Sequence, residues 1–270
     1  MKPSIIVHND CDFNSVEFVK LAGIINSISP NTDVVDASQY FEKDDVIKVG
    51  AYLFTTVPFW PEGSVFLSLV GKGKPIAVVL NNNNIIITRD NGTVSMCDDN
   101  IGIKEVYKLN EEYAEDDYAM AKACADLINA DSDLSAIGTV INKEDIKIFI
   151  MPETIISDGK ACGAIGMLLK TFGNITFTIK TEDFEKTGIK KDDLLDVSIT
   201  KDGKVVYHEK MTYQPSFGYV EVGEPLIFNG SSGYMDIGLN QKSFINERLP
   251  ELLESEDITE YKVSIERIDK

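Results

Sequence analysis

Histidine, the side chain that most often serves as a general base, occurs only at His8 and His208. A relay that activates a serine or cysteine nucleophile needs such a base held by an acid, but these two residues fall in different halves of the chain. His208 lies in a segment of alternating polarity, so we expect it to face solvent. His8 ends the first apolar run, where α/β proteins place ligand sites, although a structural role is the commoner one. We assign no catalytic residue.

A carboxylate and a glycine-serine turn are better candidates for ligand contacts. Asp10 follows the first apolar run and precedes the first helical pattern, a position from which a carboxylate accepts hydrogen bonds from a ribose diol. The alternative role for Asp10 is a helix cap or a turn. Residues 230–233, Gly-Ser-Ser-Gly, offer backbone N–H groups and hydroxyls that suit a carboxylate or a phosphate. A plain β-turn is an equal alternative for this segment.

The cysteines do not form a metal-binding pattern. The chain has four, at Cys11, Cys97, Cys124 and Cys162, and the shortest interval between them is 27 residues. This spacing fits neither a zinc site nor a dense disulfide framework. We therefore expect buried thiols, no metal and no cofactor.

The first half of the sequence alternates between strand and helix patterns. Apolar runs bounded by turn residues predict strands, and apolar positions at helical spacing predict helices. Asparagines 81–84 predict the tip of a hairpin. The predicted strands are 4–7, 33–36, 65–70, 75–80 and 85–88, and the predicted helices are 15–28, 44–56 and 115–130. This alternation indicates an α/β layered domain.

The second half consists of short β-like runs separated by Gly, Asp and Lys. These runs are 146–151, 164–169, 175–179, 194–200, 204–208, 225–229, 234–239 and 261–265. They predict a small all-β domain, either a barrel or a sandwich. We place the α/β domain at 1–142, a linker at 143–160 and the β domain at 161–270.

Charge and hydropathy exclude several classes of partner. The chain has 44 acidic and 26 basic residues and a formal net charge of −18. Such a surface repels phosphate backbones and anionic lipid headgroups, so we expect neither nucleic acid nor membrane partners. No apolar run reaches the ~18 residues of a membrane span, and the opening residues turn polar too early for a signal peptide. We expect a cytoplasmic protein.

Six short motifs, taken in order, resemble one family. The chain resembles the S-adenosylmethionine (SAM) hydrolases, also called SAM hydroxide adenosyltransferases, which include the SAM-dependent chlorinases and fluorinases. The resemblance spans nearly the whole chain. The motifs are Asn-Asp at 9–10, Pro-Glu-Gly-Ser-Val at 61–65, Asp-Asn-Gly at 90–92, Leu-Ser-Ala-Ile-Gly at 134–138, Phe-Gly-Asn-Ile-Thr at 172–176 and the glycine-serine segment 229–241.

The resemblance implies an amino-terminal α/β domain and a carboxy-terminal antiparallel β-barrel. It also implies a homotrimer that holds SAM between the first domain of one subunit and the second domain of its neighbour. By the same resemblance, Asp10 grips the ribose hydroxyls, Phe172 and Asn174 contact adenine, Tyr213 covers the other adenine face, and Ser231 contacts the methionine carboxylate. These roles suit the side chains.

The chain also departs from the family pattern. The hydrolases have an aspartate and an arginine after the central strand, where this chain reads Ser-Leu-Val-Gly-Lys-Gly-Lys at 68–74, and a histidine where it has Ala114. The Asp-Arg-His trio that deprotonates water is thus missing from the matched positions. Lys170 replaces the aspartate that binds the methionine amino group. The halogenases also lack the trio, but their insertion is absent here.

Three functions remain open from the sequence. The first is a protein that binds SAM, adenosine or a related nucleoside with reduced or lost hydrolysis. The second is an active SAM hydrolase, giving adenosine and methionine, in which Asp45, Glu115, Asp116 or Asp117 orients water. The third is a structural or interaction protein on the same scaffold, because fold does not fix function.

Overall fold

The computed structural model describes residues 2–10, 16–38, 45–255 and 257–268. The chain divides into two compact units, Met1–Ile150 and Met151–Lys270. The division falls within the segment 143–160, which we expected to be a linker. That segment contains a 3-10 helix and a short strand, so it is not a plain connection.

The first unit contains a mixed seven-stranded sheet. Strands β1, β2, β3 and β5 run parallel to one another, and β4, β6 and β7 pair antiparallel at the other side, in the order β2-β1-β3-β5-β4-β6-β7. The carboxyl ends of β1, β3 and β5 therefore share one edge. The bounds are β1 Ile5–Asn9, β2 Val34–Asp36, β3 Val65–Leu69, β4 Pro75–Leu80, β5 Ile85–Arg89, β6 Ile103–Leu109 and β7 Gly138–Ile141.

Helices cover both faces of this sheet, which gives an α/β layered unit. The helices are α1 Glu17–Ile28, α2 Val46–Thr56, α3 Ser95–Asn100 and α4 Asp117–Asn129. Leu21 of α1 packs with Val7 in one buried cluster that also contains α4 residues. The next residue along β1, His8, points to the opposite face and contacts Tyr52 of α2, with ring centroids 5.6 Å apart.

His8 belongs to the core of the first unit. Its ring is fully buried and stacks on Phe66, with centroids 6.2 Å apart. Burial lowers the pKa of His8 to about 4, against a smaller opposing effect of Asp36. The imidazole is therefore neutral near pH 7. His208, by contrast, is exposed and lies 2.8 Å from Asp196, as its alternating segment predicted.

The second unit is a closed seven-stranded β-barrel. Its strands follow the order β9-β10-β14-β13-β12-β11-β15, and the barrel closes where β15 pairs with β9. Strand β8 also pairs with β9, antiparallel and outside this ring. The bounds are β8 Ile155–Ser157, β9 Lys160–Leu169, β10 Asn174–Lys180, β11 Leu194–Lys201, β12 Lys204–Tyr213, β13 Pro225–Asn229, β14 Tyr234–Leu239 and β15 Lys262–Arg267, with short helices α5 Thr181–Glu185 and α6 Phe244–Arg248.

The barrel, rather than a sandwich, is the form that the β runs take. Alternate residues such as Ile175, Ile227 and Ile237 point inward and form its core. One detail differs from an all-antiparallel barrel: β12 and β13 run parallel over a short stretch. Their connection, 214–224, is long enough to bring the chain back to the starting end.

One predicted strand was wrong. Residues 146–151 form no strand, because side chains rather than a neighbouring strand satisfy their backbone N–H groups. The N–H of Lys147 donates to Asp90 Oδ1 at 2.7 Å, and the N–H of Phe149 donates to Ser95 Oγ at 2.8 Å. Conversely, β6, β7 and α3 were not predicted, since β6 carries three charged residues and the other two are short.

The described cysteines are mostly buried. Cys97 and Cys124 are buried thiols, Cys162 is half-buried, and Cys11 lies outside the described residues. No group of three or more His, Cys, Asp or Glu side chains there is arranged to hold a metal. Among those residues, no helix has the length and apolar character needed to cross a membrane.

Candidate ligand-binding site

A cavity of about 440 Å³ lies in the barrel unit, where β9 turns into β10 and β14 leads into α6. This volume is in the range that holds a ligand of nucleoside size. The lining combines two aromatic rings, several carboxamides and two ammonium groups. Its principal members are Phe172, Phe217, Asn174, Gln241, Lys170 and Lys242.

The turn between β9 and β10 presents an aromatic ring at this cavity. The N–H groups of Phe172 and Gly173 both donate to Leu169 O, at 3.0 and 2.7 Å, and close the turn. Phe172 is 73% exposed, so its ring is held out rather than packed into the core. A large exposed ring that lines a cavity offers a face to a planar ligand.

Gly173 locks this turn against the start of α6. Its φ is +77°, a conformation that glycine adopts without strain. A Cβ at this position would clash with the backbone and side chain of Ser243. The N–H of Ile245 donates to Gly173 O at 3.0 Å and fastens the contact. The positive φ and the close approach to Ser243 therefore both require glycine at position 173.

Asn174 lines the same cavity as Phe172 and carries an unsatisfied acceptor. It is the first residue of β10 and only 6% exposed, and its Oδ1 has no hydrogen-bond partner among the described residues. Gly238 makes room for it, since a Cβ there would lie 2.6 Å from this oxygen. A buried acceptor without a partner costs about 1–3 kcal/mol. An exocyclic amino group of a ligand would satisfy it.

Asp236 and Thr176 continue the same buried polar face along β14 and β10. They are cross-strand partners, and both are nearly fully buried. Burial raises the pKa of Asp236 to about 7. Thr176 opposes this rise in part, although its hydroxyl makes no hydrogen bond of acceptable geometry. Near neutral pH this carboxyl, two residues from Gly238, is therefore present in both its protonated and its ionised form.

Two of the predicted contacts lie outside the cavity lining. The hydroxyl of Tyr213 donates to Asn229 Oδ1 at 2.9 Å, and its ring meets Phe184 edge-on at 5.3 Å. Ser231 is exposed in the turn between β13 and β14. That turn joins the far end of β10, since Thr181 N–H donates to Gly233 O at 2.9 Å. The second aromatic ring of the cavity is Phe217, which the sequence reasoning missed.

Asp10 lies in the first unit, directly after β1, and is half-buried. The preceding Asn9 is fixed to β2's loop, since its Nδ2 donates to Ser38 Oγ at 2.9 Å. Because β1, β3 and β5 are parallel, Asp10 shares the carboxyl edge of the sheet with Arg89 at the end of β5. This is the edge where open α/β sheets bind ligands.

The carboxylates considered for orienting water mostly have structural partners. Asp45 Oδ1 accepts from Lys48 N–H at 3.1 Å and caps α2, while Asp116 Oδ1 accepts from Ala119 N–H at 2.8 Å and caps α4. Asp117 forms an ion pair with Arg89. Only Glu115 is exposed without an assigned structural role. The main role of Asp45 and Asp116 is therefore to cap the first turns of α2 and α4.

Comparison with known proteins places both units in one family. The model of the SAM hydroxide adenosyltransferase N-terminal domain matches residues 5–129, and that of the C-terminal domain matches residues 170–249. The chain belongs to the SAM hydroxide adenosyltransferase family. The second match begins at Lys170, so the cavity described above lies largely within the family's C-terminal domain.

Individual relatives are distant but cover almost the full length. The chain is 21% identical to a fluorinase of Actinopolyspora mzabensis, over 90% of this chain and 92% of the relative. It is 22% identical to a fluorinase of an Actinoplanes species, over 88% and 91%. Family membership rests on the two domain matches, and these distant relatives show only similarity over the length of the chain.

Two solved structures share the fold. An uncharacterized conserved protein from Thermotoga maritima superposes with a TM-score of 0.77 at 20% identity, covering 97% of this chain and all of that one. A conserved hypothetical protein from Thermus thermophilus gives a TM-score of 0.73 at 17% identity, covering 98% and 100%. This chain therefore shares its fold with both solved structures.

Substituting Gly173 tests how the cavity is built. We expect Gly173→Ala to destabilise the protein because it adds both strain at positive φ and a clash with Ser243. Gly203→Ala is the matched control: its φ is +73°, but nothing lies within 4 Å of a new Cβ. The control should cost about 1–2 kcal/mol, and Gly173→Ala clearly more. Urea unfolding measures both, and equal losses would contradict the close-approach argument.

The raised pKa of Asp236 predicts a pH-dependent stability. The ordinary pKa is 3.8 and the folded value is about 7, so the folded protein binds the proton more tightly than the unfolded chain. Stability should therefore fall as pH rises from about 4 to about 7, by at most about 4 kcal/mol. Asp236→Asn should be more stable than the parent at pH 8, and the difference should vanish below pH 4.

Thermal unfolding across this pH range measures that difference. Asp202→Asn, in an exposed turn, is the control and should leave the profile unchanged. An Asp236→Asn profile parallel to that of the parent protein would show that Asp236 is not held neutral.

Proposed function

We propose that this protein binds an adenosine-containing ligand, with the base in the barrel cavity. The observation that carries the proposal is the pairing of an exposed ring, Phe172, with the unsatisfied carboxamide oxygen of Asn174 in one cavity of about 440 Å³. Adenine has a planar face for the ring and an exocyclic amino group for the oxygen. Family membership supports this reading, because the family acts on SAM.

The remaining contacts belong to the same proposal. Asp10 would accept from the ribose hydroxyls and Ser231 would contact a terminal carboxylate, while Tyr213 is the ring that the resemblance assigns to the second adenine face. We favour Phe217 as the second ring for adenine, because it lines the cavity with Phe172 while Tyr213 does not.

We further propose that hydrolysis of SAM is reduced or lost. Ala114 stands where the resemblance expects a histidine, and Asp45, Asp116 and Asp117 already have helix caps or an ion pair to maintain. General base catalysis typically contributes ~10²–10⁴-fold. Family membership favours the alternative of an active hydrolase, which would need Glu115 or a freed carboxylate to orient water.

We also propose domain limits of 1–142 and 161–270, a homotrimer and a cytoplasmic location. The trimer follows from the resemblance, and sedimentation analysis of the purified protein tests it. A monomeric mass at all concentrations would contradict it.

Adenosine binding measured by isothermal titration calorimetry tests the site. We expect Phe172→Ala and Asn174→Ala each to weaken adenosine about tenfold, which corresponds to about 1.4 kcal/mol, because one removes stacking and the other the acceptor. Tyr219→Ala is the matched control: Tyr219 is a second exposed aromatic ring of the barrel unit, 55% exposed, and lies outside the cavity. Equal losses in all three variants, or no heat with the parent protein, would reject the site.

Incubation with SAM separates binding from turnover. We expect chromatography to show no adenosine above the spontaneous background after hours with the protein in stoichiometric excess. Clear turnover would support the active hydrolase, and Glu115→Gln would then be the first variant to assay.

A further inference from the structure

The charge of the barrel cavity is opposite to the charge of the chain. Two lysines, Lys170 and Lys242, line it, and none of its ten lining residues is acidic in the part of the chain that the structure describes. The whole sequence has 44 acidic and 26 basic residues. A cavity lined by ammonium groups in so acidic a chain attracts anions.

The two ammonium groups reach the cavity from different elements. Lys170 belongs to the β9–β10 turn, two residues before Phe172, and Lys242 belongs to the loop between β14 and α6. Both therefore flank the place that the proposed function gives to adenine. Lys170 also interacts with other groups of the protein. Its contribution to the cavity is therefore its positive charge and does not depend on an unpaired ammonium group.

The ion pair between Lys242 and Glu247 leaves the lysine able to bind a ligand. Its Nζ lies 3.4 Å from Glu247 Oε1, and the lysine side chain is about half exposed. Glu247 also lies 3.9 Å from Arg248, so its carboxylate is divided between two cations. Exposed pairs of this kind are weak, and an ammonium has three donors, of which one ion pair uses one.

From these observations we propose that the natural ligand is an adenosine carrying an anionic group, of the adenosine phosphate class, and not the cationic sulfonium SAM. The inference rests on the proposed function, since the rings and Asn174 must hold the base. A phosphate carries a charge of about −1.5 to −2 at pH 7, which suits Lys170 and Lys242. SAM instead carries positive charge on its sulfur and its amino group against a single negative carboxylate, so its net charge is positive and two lysines oppose it.

Calorimetry with adenosine, adenosine monophosphate (AMP) and SAM tests the inference. At 50 mM salt, AMP should bind about tenfold more tightly than adenosine, and SAM should bind more weakly than adenosine. At 500 mM salt, the AMP advantage should shrink to within about threefold, because salt screens the partly exposed lysines. Lys170→Gln and Lys242→Gln should each lower AMP affinity by a factor at least about threefold larger than any loss of adenosine affinity.

Lys204→Gln is the matched control, since Lys204 is an exposed lysine of the barrel unit outside the cavity. If adenosine binds but AMP binds no more tightly, or if SAM binds more tightly than AMP, the inference is wrong and the proposed function stands. If none of the three ligands binds, both the proposed function and the inference are wrong. Loss of AMP affinity in Lys204→Gln equal to that in the cavity variants would also overturn it.

Discussion

The contact between the 170–174 turn and the first residues of α6 is the constraint on which the candidate site depends. Gly173 lies so close to Ser243 that no side chain fits between them, and its carbonyl accepts the N–H of Ile245. This contact fixes the direction of the two neighbouring residues. Phe172 is turned outward and Asn174 inward, so one turn delivers a ring face and a buried acceptor to the same cavity.

Close packing of glycines also explains why polar groups are buried in the barrel wall. Gly238 accommodates the carboxamide of Asn174, and Gly230 accommodates the carboxyl of Asp236, each at 2.6 Å from where a Cβ would stand. Both oxygens lack partners in the described residues. Protonation of Asp236 removes its buried charge, whereas Asn174 retains an unmet acceptor. A binding site is the simplest physical reason to keep such a group.

The sequence predicted the fold well where local signals are strong. The strands 225–229 and 234–239 agree residue for residue with the structure, because apolar runs there are bounded by Pro, Gly and Asn. It failed at 146–151, where the side chains of Asp90 and Ser95, distant in sequence, accept the backbone N–H groups of Lys147 and Phe149. It also could not foresee the parallel pairing of β12 and β13, which depends on the path of the long connection between them.

The sequence predicted only part of the candidate site, because some of its residues lie on connections without a local pattern. The Phe-Gly-Asn motif identified Phe172 and Asn174, which the structure brings into one cavity. Phe217 and Lys242 come to that cavity from connections that have no periodic pattern, so only the folded chain shows them. The ion pair between Arg89 and Asp117 could not be predicted either, because it depends on how β5 and α4 pack together.

A crystal structure of the protein grown with adenosine would show directly where the base binds. We expect the adenine ring in the barrel cavity, in contact with Phe172, with its amino group within hydrogen-bond distance of Asn174 Oδ1. Adenosine bound elsewhere while this cavity holds only solvent would contradict the proposed site.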